Sequence, residues 1–155
     1  MLVRLQEDLH LDAPPEEVWK LLRDTPRLTA LLPGVESVTA LGEAGAEAYS
    51  ATASDKIGPF KVRLNLEVRV TEAQAPSILK AALKGADSLG LNRVTGSLEV
   101  TLSPALPGTQ MRFEASVEVL GKLATLGAVP MRRRTTESFA AFARNIQGAI
   151  CAEQS

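Results

Sequence analysis

This chain is poor in the residues that do chemistry. Its 155 residues include one cysteine, one histidine, one tyrosine and one tryptophan, and aromatic side chains make up only 4% of it. The lone Cys151 has no partner for an internal disulfide, which fits a reducing cytoplasm. His10 alone, without a second histidine or a nearby cysteine, provides no ligand spacing for zinc. Excess charge is missing too. Seventeen Lys and Arg stand against eighteen Asp and Glu, which removes the broad electrostatic footprint of a nucleic-acid binder. No apolar run approaches the roughly 18 to 20 residues of a membrane span, and the first residues lack the basic start and apolar core of a signal peptide. There is no glycine-rich phosphate loop and no nucleophile elbow. The expectation is one domain over residues 1–155, with no metal, no cofactor and no nucleic-acid partner.

What the chain does have is alternation. Leu5, Glu7, Leu9 and Leu11 oppose Gln6, Asp8 and His10, the pattern of a half-buried strand, and Asp12 follows as a candidate helix cap. Pro14 and Pro15 preset a first helical turn. Glu16 and Glu17 suit its positive end, and Val18, Trp19, Leu21 and Leu22 form its apolar stripe. Pro26 and Pro33-Gly34 bracket a second short helical turn. The clearest strand runs from Val62 to Val70, with Val62, Leu64, Leu66, Val68 and Val70 on one face. At about 3.3 Å per residue it spans roughly 30 Å. Val94 to Leu102 and Met111 to Val119 alternate in the same way, and turn signals separate the segments. The spacing predicts an α+β fold with about seven antiparallel strands and two short helices between the first two.

After Gly121 the period changes from two to 3.6. Phe139, Phe142, Ala143, Ile146, Ala149 and Ile150 fall on one stripe, so a long helix closes the chain, with Pro130 expected to kink or restart it. A curved sheet gripping such a helix encloses space. Many inward positions are small (Ala51, Ala53, Ala81, Gly96, Ala115), which points to a cavity for a hydrophobic ligand. Its expected lining from the strands is Leu64, Leu66, Val68, Leu98, Phe113 and Val117. From the helix it is Phe139, Phe142 and Ile146. Phe60, beside Gly58-Pro59, reads equally as an exposed anchor or as a strand-end wall of the cavity.

Candidate polar groups are few. His10 has the parity of a solvent-facing residue. Asp55 and Lys56 read as the polar end of a hairpin, and no catalytic residue is assigned. Tyr49 falls either with Ala51 and Ala53 inside the sheet or on its outer face. Arg132 shares the helical angle of Phe139, Ala143 and Ile150, so it is expected at the cavity mouth, or with its head in water. From Val119 to Met131 the chain is nearly uncharged and then meets Arg132, Arg133 and Arg134. Leu123, Leu126 and Val129 followed by three arginines suit contact with an anionic membrane or a partner, and equally a buried turn with solvated charges.

The opening LDAPPEEVWKLLRDTPRLTALLPGVESV resembles the helix-grip superfamily, also called START-like, SRPBCC or Bet v 1-like. ASDKIGPFKVRLNLEVRV and LGKLATLGAVPMRRRTTESFAAFARNI narrow the resemblance to the CoxG family of carbon monoxide dehydrogenase proteins. The cysteines that often flank the Pro-Gly turn in that pattern are replaced here by Leu31 or Leu32 and Val35, which removes a thiol role at the turn. The resemblance implies a noncatalytic carrier of a lipid or isoprenoid quinone. It implies a molybdenum hydroxylase as partner and a peripheral contact with the inner face of the cell membrane. Two other readings follow from the superfamily: a polyketide cyclase or dehydratase-like enzyme, and a module that docks the oxidoreductase without a ligand.

Overall fold

A computed structural model describes residues 1–41, 47–57, 60–126 and 128–154. The side chains of Thr25, Ile57, Phe60, Leu123, Leu126, Ala128, Val129, Met131, Thr135 and residues 151–154 lie outside the description. The elements are β1 (Leu2–Leu11), α1 (Pro15–Arg23), α2 (Thr25–Ala30), β2 (Val35–Ala40), β3 (Ala48–Ile57), β4 (Phe60–Gln74), β5 (Ile78–Ala86), β6 (Asn92–Pro104), β7 (Thr109–Gly121), a 3-10 turn (Lys122–Leu126) and α3 (Ala128–Gln154). The strands form one antiparallel sheet in the order β1-β7-β6-β5-β4-β3-β2. The two short helices connect its two edge strands.

Register carries the apolar parity from strand to strand. Leu9 lies opposite Met111, which lies opposite Leu102; Leu5 faces Ala115, then Leu98, Ala81 and Val70 in turn. These residues share the concave face, against which α3 packs. The convex face takes the charges, in pairs such as Asp8 with Arg112 at 2.9 Å and Glu72 with Lys80 at 3.2 Å. A bulge between Val70 and Glu72 shifts the register of β4 on β5, and β4 runs for 15 residues.

The helices begin otherwise than their sequences suggest. Asp12 does not cap α1: Pro14 occupies that position with no side-chain hydrogen bond, and Asp12 lies 3.5 Å from His10 instead. Proline at both of the first positions removes donors that a cap would satisfy. Pro130 neither kinks nor restarts α3. It lies in the first turn, where the missing N–H has no intrahelical acceptor to lose.

The concave face is packed at both ends. At one end Leu11, Val18, Leu21 and Leu22 join Leu102, Met111, Ile146 and Ile150 in a cluster that sandwiches α1 and the C-terminal half of α3 on the sheet. Buried Thr109 donates a 2.6 Å hydrogen bond to the Ala13 carbonyl, and the Asn145 amide donates one of 2.7 Å to the Leu31 carbonyl. At the other end Val3, Val62, Val94 and Val119 form a second cluster. Between the two lies a band of inward residues that are only half-buried. Burial therefore predicts unequal truncation costs. Ile146→Ala, at a residue 1% exposed, should cost about 3 kcal/mol in urea unfolding. Leu83→Ala, in the half-buried band, should cost less than half as much.

Candidate functional site

The band is continuous across five strands. Tyr49 lies opposite Val68, Val68 opposite Leu83, Leu83 opposite Gly96 and Gly96 opposite Val117. Parallel to it run Ala53 with Leu64, Ala51 with Leu66 and Leu98 with Ala81. Apart from buried Ala51, these inward residues keep part of their surface accessible. Leu98 packs against the first cluster and Leu64, Leu66 and Val117 against the second, so the accessible apolar surface is what these contacts leave uncovered. Ala53 and Ala81 leave the pleat low, whereas Gly96 is required by close approach, since a Cβ on it would lie 2.5 Å from the Ser116 carbonyl oxygen. Leu64, Leu66, Val68, Leu98 and Val117 thus stand on the expected face, and Tyr49 is on the inner side, the choice its sequence left open.

The aromatic part of the expected lining is different. Phe113 and Phe139 have ring centroids 4.8 Å apart, and Phe142 meets both edgewise at 6.1 and 6.4 Å. With Leu9, Met111, Ala143 and Ile146 they border a slit of about 10 Å³, room for a single water. Phe113, Phe139, Phe142 and Ile146 are thus a packed contact between β7 and α3. The space expected beside them is closed.

Arg132 takes the second of the two places its helical angle left open, with its head in water. Its side chain is exposed, as is that of Arg133, and the arginine that meets the sheet is Arg134. Its guanidinium donates to both carboxylate oxygens of Asp55, at 2.6 and 3.2 Å to one and 2.9 Å to the other, and at 3.3 Å to Glu137. The helix crosses the sheet obliquely. The face of α3 that meets β7 at Phe139 is therefore not the face that meets β3 more than a turn earlier. Asp55 shares the inward parity of Ala51 and Ala53, opposite Val62. It is the foot of a clamp on α3 rather than the plain hairpin end its sequence suggests. Burial alone would raise its carboxyl pKa. The Arg134 hydrogen bonds, the Lys56 backbone N–H and the Arg134 charge outweigh that and hold it below its ordinary value, while Arg134 is shifted upward. The side chains of Phe60, Leu123, Leu126 and Val129 lie outside the described residues, as does the Gly58-Pro59 turn.

Glu7 is the residue that sequence reasoning passed over. It lies opposite Phe113 and borders the aromatic slit beside α3. Its signal was its parity with Leu5, Leu9 and Leu11. His10 is exposed, and no group of three or more His, Cys, Asp or Glu side chains is assembled for a metal among the described residues.

Residues 8–151 match one family of carbon monoxide dehydrogenase subunits, CoxG. The chain belongs to the CoxG family. No curated protein matches the sequence. Among solved structures, a conserved protein from Geobacillus kaustophilus superposes with a TM-score of 0.83 at 25% identity, over 98% of this chain and 96% of that one. A START superfamily protein from Mycobacterium smegmatis superposes at 0.65 with 11% identity, over 95% and 96%. A point mutant of Thalictrum norcoclaurine synthase, in complex with a transition-state analogue, superposes at 0.68 with 15% identity, over 100% and 98%. This CoxG-family chain has the helix-grip fold of START-like proteins. No helix among the described residues is long and apolar enough to cross a membrane.

The Asp55–Arg134 clamp gives a pH signature. Because the folded carboxyl pKa lies below the ordinary 3.8, the clamp's stabilisation is complete above about pH 4 to 5 and is lost as pH falls through the folded value. Its two side chains are 33% and 39% exposed, which limits the contribution to about 1 kcal/mol. Asp55→Asn should reduce the unfolding free energy in urea by that amount at pH 7, and the difference from the parent should shrink steadily below pH 4.

Proposed function

We propose that this chain is a noncatalytic carrier of a neutral apolar molecule, of the isoprenoid quinone or lipid class, and that it serves a molybdenum hydroxylase. The observation that carries the reading is the half-buried apolar band from Tyr49 to Val117, lying between two packed clusters. Covering about 400 Å² of apolar tail there stabilises a complex by roughly 10 kcal/mol before association costs, so micromolar binding is within reach. Membership of the CoxG family supports the partner class. Norcoclaurine synthase shares only the fold, and fold alone does not carry an activity.

The cyclase or dehydratase reading needs polar groups that converge on one substrate atom. The inward polar groups here are scattered: Tyr49 and Glu7 stand on strands separated by four others, and Asp55 is occupied by Arg134. The membrane reading draws on charge. Arg132 and Arg133 are exposed at the start of α3, and Lys56 and Lys61 are exposed on the convex side of the β3–β4 hairpin, charges suited to anionic head groups at about 1 kcal/mol each. A carrier collects a lipid-soluble cargo at such a surface.

Val68→Trp fills the middle of the band. Titration with a decyl-chain quinone should give at least tenfold weaker uptake for this variant than for the parent, with thermal unfolding little changed. Equal uptake by both proteins, or none by the parent, contradicts the carrier reading.

A further inference from the structure

Exposed apolar side chains gather at one end of the sheet. Among the described residues five large ones are exposed, and four of them, Leu2, Leu89, Leu91 and Leu120, lie where β1 begins, β5 turns into β6 and β7 ends. Register sets three of them in a row from β1 across β7 to the start of β6. Leu2 lies opposite Glu118, two residues short of Leu120, and Leu120 lies opposite Arg93, two residues beyond Leu91. Such diagonal neighbours stand roughly 7 to 8 Å apart. Leu2 and Leu120 have the convex parity, because Val3 and Val119 beside them are buried inward. The Leu91 carbonyl accepts from the Lys122 N–H at 3.2 Å, and Asp87 braces the turn by accepting from the Leu91 N–H at 2.7 Å and the Asn92 amide at 2.9 Å. At the tip Leu89 is 79% exposed, and a Cβ on Gly90 would meet no atom within 4 Å. The turn projects clear of the fold.

The uncommitted charge beside this row has one sign. Arg4, Arg93 and Lys122 are exposed and carry no ion pair among the described residues. The nearby acids are engaged, Glu118 by the Met1 amine at 3.1 Å and Asp87 by its own turn. Glu99 and Glu114 lie farther along the strands. The β3–β4 hairpin, with exposed Lys56 and Lys61, and the start of α3, with exposed Arg132 and Arg133, share this end of the sheet. Leucines on a projecting turn among unpaired cations match an anionic bilayer surface, where apolar side chains enter the head-group boundary and basic ones meet phosphates. A second copy on a two-fold axis would set these cations against themselves. An anchor in a protein partner needs a matching pocket, which a fluid bilayer does not demand. We propose that the leucines from Leu2 to Leu89 seat this chain on an anionic membrane, with the Leu89–Gly90 tip deepest. This rests on the membrane part of the reading above and deepens it, by naming the β5–β6 turn and the convex leucines as the inserting element.

Co-sedimentation with vesicles tests it. The parent should bind vesicles of equal phosphatidylglycerol and phosphatidylcholine at least about tenfold more tightly than vesicles of phosphatidylcholine alone, and salt at about 0.5 M should remove most of that preference. Leu89→Asp/Leu91→Asp should weaken binding to the anionic vesicles by at least about tenfold and leave thermal unfolding unchanged, since both side chains are exposed. Arg93→Glu should weaken it as well. In Leu89→Trp, brominated acyl chains should quench the added indole more than they quench Trp19 in the parent. Undiminished binding by the leucine variant overturns the proposal, and loss of that binding in Arg132→Ala/Arg133→Ala then leaves membrane contact itself standing. A dimer of the parent that the leucine variant dissolves assigns these leucines to a second copy and overturns the proposal too. No binding of the parent to either kind of vesicle overturns both the proposal and the membrane reading.

Discussion

The structure depends on a mismatch of area. Seven strands present more apolar surface on their concave side than one long helix and two short ones can cover. The available cover is used at the ends. Helix α1 and the C-terminal half of α3 close one end around Leu11, Leu21 and Ile146, while the strands themselves close the other around Val62, Val94 and Val119. What remains is a band of aliphatic side chains that stay half-buried. Close packing throughout would need larger residues where Ala53 and Ala81 stand, or a second long helix. The band follows from the sequence's choice of small residues on long strands.

Electrostatics keeps that band apolar. Strand parity sends every basic strand residue to the convex face, where partners such as Asp8 and Glu72 meet them in water. The one arginine that turns toward the sheet among the described residues arrives on α3 and is met by Asp55. A guanidinium with a bidentate carboxylate partner holds the helix in place without offering a free charge to a ligand. The clamp and the closed aromatic contact fix α3 at separated points, and the stretch of sheet between them is apolar.

Much of this was legible in the chain, for a physical reason. Period-two alternation in Val62 to Val70 assigns the inner face of β4 outright, and antiparallel register then carries that face to Leu98 and Val117. Tyr49 was ambiguous because its strand alternates small residues that suit either side. Helical arithmetic left Arg132 open between the cavity mouth and water, and did not single out Arg134, the arginine that meets Asp55. Asp55 was hidden by its neighbour: beside Lys56 it reads as a polar turn, and only its parity with Ala51 and Ala53 points inward. Glu7 stood openly on the apolar parity of β1. What its sequence does not show is that a helix from the far end of the chain lies against it.

The central claim is that the concave band holds a neutral apolar molecule. It is tested most directly by native mass spectrometry of the protein purified without detergent from its own host. The account predicts a one-to-one adduct whose mass identifies a neutral lipid-soluble compound, extractable into organic solvent. Protein that arrives free of any adduct, and stays free after exposure to host lipid extract, would contradict it.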